Sequence, residues 1–421
     1  MKILVIGNGA REHALVWKIA QSRRVKEIYA LPGNAGTAGI AQNIHISISD
    51  INSIVNKAVQ LKTDLVVVGP EAPLAAGLVD RLEAAGIRVF GPSQKAAQLE
   101  SSKVFARDLM NTKGIPCASG RCFATCAEAR QYLENRTVPV VVKADGLAAG
   151  KGVVIATTTD EAVNALNSMM QDRLFGAAGD RVIIEECLMG KEVSLLAFSD
   201  GKTVVPMVPA CDYKRVFDGD KGPNTGGMGS YSPPGFFGEE MIRQVLESVI
   251  KPTIAAMAEA GTPYKGVLYT GLILTTRGPM VLEFNARFGD PETQAILPRL
   301  KTDLVDIMLA VVNVSLDKIE IEWNSNPCVG VVMASGGYPG QYRTGFPITV
   351  SDKIDKDINI FYAGAKIGDG GRTVTDGGRV LTVTSTGRTM KDARDKVYSN
   401  IQYINFEGCH YRKDIAAREV S

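Results

Sequence analysis

Polar and apolar positions alternate between residues 281 and 287, which predicts a β-strand with two unlike faces. Glu283, Asn285 and Arg287 fall on one face, and the apolar residues between them fall on the other. A carboxylate and an amide two residues apart supply the hard oxygen ligands that Mg2+ prefers, and such sites take further ligands from substrate phosphates. A half-buried strand with its polar side toward solvent has the same pattern, so the metal hypothesis requires a phosphate site elsewhere in the chain.

Short apolar runs alternate with amphipathic stretches along the first hundred residues. Strands are predicted at residues 2–6, 27–30, 64–68 and 88–90. Helices are predicted to begin at Glu12 and Leu74. This alternation indicates a parallel sheet with crossover helices, a Rossmann-like α/β domain. Ligands of such sheets bind at the carboxyl ends of the strands, which here are residues 7–12 and 69–73.

The first of these loops raises the alternative of dinucleotide binding. Gly7, Asn8 and Gly9 follow a predicted strand, as in a dinucleotide fingerprint. The third glycine position is Glu12, however, and residues 31–34 stand where an acidic residue is expected. A nicotinamide-dependent oxidoreductase is therefore disfavoured but stays an alternative, as does a nucleotide-binding regulator without catalytic activity.

Residues 94–113 predict one long helix with Lys103 and Arg107 on one side, which would bridge two domains. A strand over residues 138–144 then carries Lys143 near its end, and a loop of mostly Gly and Ala spans residues 145–152. Backbone N–H groups of such a loop can approach an anion closely. The loop leads into a strand rather than a helix, so it is not a Walker A loop, but its length and charge favour phosphate binding over a plain hairpin.

The segment from residue 181 onward predicts antiparallel strands, and a hairpin at Gly190 would explain its first turn. Residues 212–229 lack apolar periodicity and predict a long functional loop or lid. Helices are predicted at residues 239–260, 304–316 and 389–401. A boundary near residues 324–327 separates a last α+β region from the rest.

The composition favours a small-molecule partner. The 47 basic and 45 acidic side chains nearly cancel, and no long run of either charge predicts binding to nucleic acid or membrane. Seven cysteines, an odd number scattered over 421 residues, are typical of a reducing, cytosolic compartment. No apolar run is long enough for a signal-peptide core or a membrane helix. The length itself indicates roughly three domains at about 150 residues each.

Together these segments resemble the ATP-grasp ligases, and within them the glycinamide ribonucleotide synthetase family. The matching blocks are residues 7–13, 69–74, 91–93, 143–153, 212–229, 283–294 and 336–340. Ala10, Tyr362 and Ala416 depart from the residues usual in the family, and none of the three falls on the expected ATP site.

The resemblance implies a multidomain α/β and α+β fold. Residues 1–101 would form an N-terminal parallel α/β domain that binds phosphoribosylamine, and residues 102–326 an ATP-grasp domain. Residues from about 118 to 190 would be its small mobile lid, and ATP would lie between two antiparallel sheets. Residues 327–421 would form a C-terminal α+β domain.

The resemblance also implies site residues. Residues expected to bind ATP are Lys103, Lys143, Gly150, Gly152, Glu185, Glu186, Leu188 and Glu192. Glu283 and Asn285 would bind Mg2+ or Mn2+, and Arg287 and Asp212 would be catalytic. Residues expected to bind glycine or phosphoribosylamine are Gly9, Arg11, Glu71, Asp212, Gly226, Gly227 and Arg287.

The activity implied by the resemblance is the ATP-dependent ligation of glycine to 5-phosphoribosylamine, through glycyl phosphate, in purine biosynthesis. The enzyme would be a cytoplasmic monomer without nucleic-acid or membrane partners. A chain that lacks a Ser-His or Cys-His nucleophile signature but is rich in Lys, Arg and metal ligands suits phosphoryl transfer. Another ATP-grasp enzyme, which would join a carboxylate to a different amine, is the nearest alternative.

Overall fold

The computed structural model describes residues 1–148 and 152–420. Within these residues, helices connect four sheets of four or five strands and three two-stranded sheets. The expected combination of a parallel α/β sheet, antiparallel sheets and a C-terminal α+β region is confirmed. No helix in the described ranges is both long enough and apolar enough to span a lipid bilayer.

The first sheet is parallel, as predicted. Its strands are β1 Lys2–Gly7, β2 Glu27–Pro32, β3 Gln42–Asn43, β4 Leu65–Val68 and β5 Val89–Phe90. The helices between them are α1 Ala10–Ile19, α2 Ile51–Leu61, α3 Glu71–Ala75 and α4 Leu78–Ala84. The strand order is β3-β2-β1-β4-β5, and residues 3–6 of β1 are fully buried because both faces of the sheet are covered. The carboxyl ends of β1 and β4 therefore lie side by side and carry the two predicted ligand loops.

The single long helix predicted for residues 94–113 is wrong. The chain forms two helices, α5 Gln98–Ser101 and α6 Lys103–Lys113. Ser102 separates them with an extended backbone, and its hydroxyl caps α6. The carboxylate of Asp145 accepts hydrogen bonds from the Ser102 hydroxyl (3.0 Å) and the Val104 N–H (2.8 Å). The break therefore places the N-terminus of α6 beside the carboxylate of Asp145, which comes from a distant part of the chain.

A small antiparallel sheet follows, with strand order β6-β9-β7-β8 and its own apolar core. Its elements are β6 Gly120–Phe123, α7 Cys126–Glu134, β7 Val140–Ala144, β8 Val153–Ala156, α8 Thr159–Met170 and β9 Val182–Glu186. The Gly/Ala loop leads from one strand into another as predicted, and these strands, β7 and β8, are antiparallel neighbours. The separate core makes this sheet a distinct packing unit.

A second antiparallel sheet has the order β11-β10-β16-β17. The central elements are β10 Lys191–Asp200, β11 Val204–Pro206, β12 Cys211–Asp212, β13 Arg215–Phe217, β14 Lys221–Asn224, β15 Gly229–Ser232, α9 Glu239–Val245, α10 Lys251–Glu259, β16 Lys265–Thr275, β17 Gly278–Asn285, α11 Glu292–Ile296 and α12 Leu304–Val312. A π-helical turn over Leu246–Ile250 connects α9 and α10 into the helix predicted there.

The hairpin predicted at Gly190 is wrong, because strands β9 and β10 belong to different sheets. A side chain at Gly190 would overlap the Leu274 carbonyl, because the chain passes close to β16 as it changes sheets.

Residues 212–229 are more ordered than the predicted loop. Strands β13 and β14 pair as a hairpin within this segment. The fully buried guanidinium of Arg412 bonds to the Arg215 carbonyl (2.9 Å) and to Asp220 (3.0 Å), and its carbon lies 4.6 Å from the centre of the Tyr213 ring. The hairpin is therefore fastened to the end of the chain, which local sequence patterns cannot show.

The last large sheet combines strands from both sides of residue 326. The C-terminal elements are β18 Cys328–Ala334, β19 Thr349–Val350, β20 Asn359–Tyr362, β21 Ala365–Ile367, β22 Thr373–Thr375, β23 Arg379–Thr386, α13 Met390–Ile401 and β24 Ile404–Asn405. The strand order is β12-β15-β18-β23-β20, so β15 from the central segment pairs with β18. The two proposed domain boundaries stay predictions, and strand pairing crosses the second one.

His13 connects α1 to this C-terminal sheet. Its Nδ1 accepts a hydrogen bond from the Tyr362 N–H at 2.9 Å, and its ring meets Phe361 edge-on at 5.7 Å. The Nδ1 acceptor requires an unprotonated nitrogen, so the neutral ring fits this position. Burial lowers the pKa of His13 from 6.5 to about 4.

We expect His13 to make the fold sensitive to acid. Between about pH 6.5 and 4 the unfolded chain binds a proton at this ring that the folded chain does not, so the free energy of unfolding falls as the pH falls. Urea unfolding at a series of pH values should show a flatter pH dependence for His13→Gln than for the wild type. The exposed His45 provides the control, since His45→Gln should keep the wild-type slope. Equal slopes for both variants would contradict the assignment.

Candidate active site at the end of strand β17

Strand β17 presents the predicted polar face. Glu283 and Asn285 are partly exposed, whereas Phe284 and Ala286 are buried. Leu282 departs from the alternation because it occupies a β-bulge, where Gly271 pairs with Glu283 and the next residue of β16 already pairs with Val281. The bulged carbonyl of Leu282 accepts a hydrogen bond from Lys143 Nζ at 3.1 Å. The bulge thus brings the predicted phosphate-binding lysine to the predicted metal strand.

Arg287 is held by two carboxylates that come from other parts of the chain. It forms ion pairs of 2.8 Å with Glu71 and with Glu100, and Glu100 also accepts the Ala286 N–H at 2.7 Å. Burial would lower the pKa of Arg287, but Glu100 and Glu71 raise it above its ordinary value. Burial raises the pKa of Glu100, against the opposing charge of Arg287. Arg287 therefore stays a cation in a fixed orientation.

Arg11 and Glu71 lie at the same place. Arg11 and Arg287 both donate to the carbonyl oxygen of Phe288, at 3.2 and 3.1 Å. Burial would raise the pKa of Glu71, but the charges of Arg287 and Arg11 bring it down to about 2. Two guanidinium groups and an ionised carboxylate therefore meet where the loops after β1 and β4 approach strand β17.

Glu12 explains why the first glycine loop does not match a dinucleotide site. Its carboxylate is buried, accepts the Gly9 N–H at 2.7 Å and pairs with Arg11 at 2.5 Å. A side chain at Gly7 or Gly69 would collide with Glu12, so the loop glycines make room for this carboxylate. A cofactor pyrophosphate would meet a negative charge here, which counts against the oxidoreductase alternative.

Glu185 lies between two buried cations rather than at an open edge. It pairs with Lys143 at 2.6 Å and with Arg107 at 2.5 Å, and Arg107 also donates to the Ala118 carbonyl at 2.7 Å. The neighbouring Glu186 faces outward, where it accepts the Ser119 N–H and pairs with Arg277. The two predicted ATP-binding glutamates thus occupy different environments, and Leu188 follows in the segment that joins β9 to β10.

The Gly/Ala loop begins against helix α6. Lys103 Nζ donates to the Gly146 carbonyl at 3.0 Å, and Asp145 pairs with Arg181 at 2.5 Å in addition to capping α6. Gly152 is described and buried, whereas Gly150 lies outside the described residues. Lys103 and Lys143 therefore stand at the start of the loop, and their role in phosphate binding stays a prediction.

Asp212 and Glu192 both form ion pairs with Lys214. The lysine pairs with Asp212 at 3.1 Å and with Glu192 at 2.5 Å. Burial raises the pKa of Asp212, and the charge of Lys214 opposes this. Gly227 has a positive φ of 111° and packs against Pro291, and the Gly226 N–H donates to the Tyr338 hydroxyl at 3.0 Å. Gly227 therefore lies against the segment that follows Arg287 in the chain, and the charge of Asp212 acts on Glu292 of the same segment.

Sequence reasoning missed several charged residues of this region. They are Glu100, Asp290, Glu292 and Arg379. Glu292 is almost fully buried, and its carboxylate accepts hydrogen bonds from Tyr269 and Ser194 at 3.0 and 3.2 Å. Burial and the charge of Asp212 raise the pKa of Glu292 to about 7. Asp290 and Glu292 lie within the matched block 283–294, which was the only sequence signal for any of them.

Comparisons with known proteins agree over the whole chain. The sequence matches three parts of the phosphoribosylglycinamide synthetase family: the N domain over residues 1–100, the ATP-grasp (A) domain over 101–293 and the C domain over 328–418. The phosphoribosylamine–glycine ligase of Caldanaerobacter subterraneus subsp. tengcongensis is 48% identical over 99% of this chain and 100% of its own length. The Escherichia coli (strain K12) enzyme of the same name is 47% identical and covers 100% of this chain and 99% of its own length. The crystal structure of the Thermotoga maritima phosphoribosylamine–glycine ligase superimposes with a TM-score of 0.88 at 34% identity, over 99% of this chain and 100% of that one.

We expect the Glu185 ion pairs to stabilise the junction between the small sheet and the rest of the protein. Glu185→Gln leaves Arg107 and Lys143 buried beside a neutral partner, so the free energy of unfolding should fall by about 3 kcal/mol. Urea denaturation measures this change. The adjacent, more exposed Glu186→Gln is the matched control and should cost less than about 1 kcal/mol. Equal losses for the two variants would mean that the buried pairs contribute no special stability.

Proposed function

The chain belongs to the phosphoribosylglycinamide synthetase family, and from this membership we infer that it joins glycine to 5-phosphoribosylamine in purine biosynthesis. The ATP-grasp fold implies the use of ATP with a divalent metal ion. The observation that supports this function most directly is the convergence of Arg287, Arg11 and Glu71 beside Glu283 and Asn285. A site for phosphoryl transfer needs such fixed charges more than it needs a protein nucleophile.

In the first step that we propose, a carboxylate oxygen of glycine attacks the γ-phosphorus of ATP. A bond forms between that oxygen and phosphorus, the bond to the β,γ-bridging oxygen breaks, and ADP leaves. Arg287 is already oriented by Glu71 and Glu100, so it can stabilise the charge on the transferred phosphoryl group without first reorganising. The product of this step is glycyl phosphate.

In the second step, the amine of 5-phosphoribosylamine attacks the carbonyl carbon of glycyl phosphate. The carbon–nitrogen bond forms, phosphate leaves with the oxygen that came from glycine, and the nitrogen loses a proton. We assign the amine substrate to Gly9, Arg11 and Glu71, and glycine to Asp212 with Gly226 and Gly227. The ion pair of Glu71 with Arg287, and the Phe288 carbonyl that Arg11 and Arg287 share, support the assignment of the amine substrate. Water must be excluded because acyl phosphates hydrolyse readily.

We propose that ATP lies between the small sheet and the β10–β17 sheet. Its phosphates would meet Lys103, Lys143 and the loop that contains Gly150 and Gly152, since the two lysines stand at the start of that loop. Residues proposed for the adenosine end are Glu185, Glu186, Leu188 and Glu192. Because the Glu185 carboxylate is engaged by Lys143 and Arg107, its side chain is assigned to positioning Lys143, and the adenine contact falls to neighbouring backbone groups.

Glu283 and Asn285 fit a divalent cation. Gly271 stands opposite Glu283, and a Cβ there would be 3.2 Å from Glu283 Cγ, so the glycine leaves room for the carboxylate. Two protein oxygens suffice for Mg2+ or Mn2+ when phosphates and water complete the shell. When bound, the cation supplies charge neutralisation for the phosphates. Glu283 and Asn285 would hold the cation on the polar face of β17.

The compartment and the oligomeric state are also proposals. All seven cysteines are unpaired thiols, which supports a reducing compartment such as the cytoplasm. We propose a monomer that binds small molecules and no nucleic acid.

The remaining alternative functions are those of a nucleotide-binding regulator and of an ATP-grasp enzyme with another amine substrate. ADP release measured with glycine and freshly made phosphoribosylamine, each omitted in turn, separates them, since full turnover should need both.

We expect isotope transfer to reveal the glycyl phosphate. With 18O in the carboxylate of glycine, one labelled oxygen should appear in inorganic phosphate in each turnover, because the attacking oxygen stays with phosphorus. Mass spectrometry of the phosphate measures the label. Unlabelled phosphate, or label in AMP, would rule out the acyl phosphate and indicate adenylation or direct condensation.

We expect the metal site to depend on Glu283 and Asn285. Glu283→Gln and Asn285→Ala should raise the Mg2+ concentration for half-maximal ADP release at least about tenfold, because each removes a hard oxygen ligand or its charge. Near-normal activity of either variant at low Mg2+ would contradict the assignment of Glu283 and Asn285 as metal ligands. Glu322→Gln, at a glutamate whose side chain is 63% exposed, is the control and should leave the Mg2+ dependence unchanged.

A further inference from the structure

The last residues of the chain contact the β13–β14 hairpin, which lies within the loop that we assign to glycine. The Lys413 N–H donates to the Asp218 carboxylate at 2.8 Å, and the Gly219 N–H donates to the Asp414 carboxylate at 2.9 Å. Each of these bonds joins residues 195 positions apart along the chain. The hairpin and the terminal segment therefore hold each other through donors from both sides.

The guanidinium of Arg412 is the centre of this contact. Its Nη1 donates to the Arg215 carbonyl at 2.9 Å, and its Nη2 donates to the Asp220 carboxylate at 3.0 Å. Its Nε and Nη2 also donate to the two oxygens of the Asp414 carboxylate at 2.8 and 2.7 Å, which is a bidentate pair. The planar guanidinium is therefore fixed in one orientation, which a single ammonium group could not reproduce.

The same guanidinium lies over the ring of Tyr213, the residue between Asp212 and Lys214. The carbon of the Arg412 guanidinium is 4.6 Å from the centre of that ring, and the Tyr213 hydroxyl accepts the Ala416 N–H at 3.0 Å. The terminal segment therefore holds the Tyr213 side chain at two points. Because Asp212 precedes Tyr213 in the chain, these contacts also fix the backbone that carries the Asp212 carboxylate.

A path of hydrogen bonds continues from this backbone to the glycines of the loop. The N–H and the hydroxyl of Thr225 both donate to the Lys214 carbonyl, at 2.7 and 2.8 Å. The Gly227 N–H in turn donates to the Thr225 hydroxyl at 2.9 Å. Gly227 is therefore placed relative to residues 213–215, which are the residues that Arg412 contacts directly.

We propose that Arg412 is a positioning residue for the glycine substrate. Because its side chain is fully buried and engaged by the protein, it acts through the backbone of residues 213–215 on Asp212 and Gly227. The inference rests on the proposed function, since it takes glycine to be bound by this loop. Groups that are already held in place lose less freedom when a ligand binds, so the affinity for glycine should depend on this distant arginine.

The kinetic test compares Arg412→Met with Arg394→Met. Arg394 also contacts the terminal segment, but it lies on α13 and donates to the carbonyl oxygens of Lys413 (2.7 Å) and Ile415 (3.0 Å). Arg412→Met should raise KM for glycine at least about tenfold, with KM for ATP and phosphoribosylamine within about twofold of the wild type, because only the glycine groups lose their placement. Arg394→Met should leave all three KM values within about twofold. An unchanged KM for glycine in Arg412→Met, or an equal rise in Arg394→Met, would overturn the proposal.

Arg412→Lys separates positioning from general stability. Lysine keeps the positive charge beside Asp220 and Asp414 but lacks the planar fork, so we expect a folded protein whose KM for glycine lies between those of the wild type and Arg412→Met. A merely structural role would lower the fraction of folded enzyme, and with it the apparent kcat, while KM for glycine stayed unchanged in both variants. That result would overturn the proposal. If Arg412→Met does not fold, KM for glycine in Arg412→Lys decides the question by the same criterion.

A binding test is independent of turnover. With a non-hydrolysable ATP analogue and Mg2+ present, calorimetry should show weaker glycine binding to Arg412→Met and Arg412→Lys than to the wild type and Arg394→Met. Equal affinity in all four proteins would overturn the proposal. If the wild type releases ADP without any need for glycine, the proposed function itself fails. If the wild type needs glycine but the Arg412 variants bind it equally well, only the role of Arg412 fails, so the two failures are distinguishable.

Discussion

The guanidinium of Arg287, whose side chain is only 17% exposed, is the group on which the arrangement of the site depends. A buried charge is tolerated only when it is paired and hydrogen-bonded, so its partners must arrive from wherever the fold can supply them. Glu71 is the first residue of helix α3, which follows β4, and Glu100 comes from helix α5. Glu100 also fixes the backbone at Ala286. The pairing therefore positions the end of β17 against the N-terminal domain and orients the cation at the same time.

The small sheet is joined to this centre by a second set of charges. Glu185 pairs with Lys143 and Arg107, and Asp145 caps helix α6 where the earlier helix ends. The contacts of Glu185 with Arg107 and of Asp145 with Val104 join the small sheet to α6, and the bond from Lys143 to the Leu282 carbonyl joins it to the bulged strand β17. The sheet has its own apolar core, so polar contacts of this kind decide how it meets the rest of the protein. The proposed ATP site lies where these contacts meet.

The C-terminal segment contributes through two arginines. Arg412 holds the β13–β14 hairpin, and Arg379 donates to the backbone carbonyls of Gly226 and Asp290. Strand β15 also pairs directly with β18. The segment that sequence patterns separate at residue 326 is thus continuous with the site in space, since strands pair by geometry and not by position along the chain.

The sequence by itself determined the elements whose signals are local. The alternation around Glu283 identified the polar strand face, and the apolar runs identified the parallel sheet, because side-chain periodicity is set within a few residues. Which charges meet was decided only by the tertiary structure: Arg107 and Glu185 are 78 residues apart, and Lys143 and the Leu282 carbonyl are 139 apart. The break at Ser102 likewise depends on a distant acid, so periodicity alone predicted one unbroken helix. Long-range pairing leaves no periodic trace in the sequence, and for that reason the strand was predictable while the partners of its arginine were not.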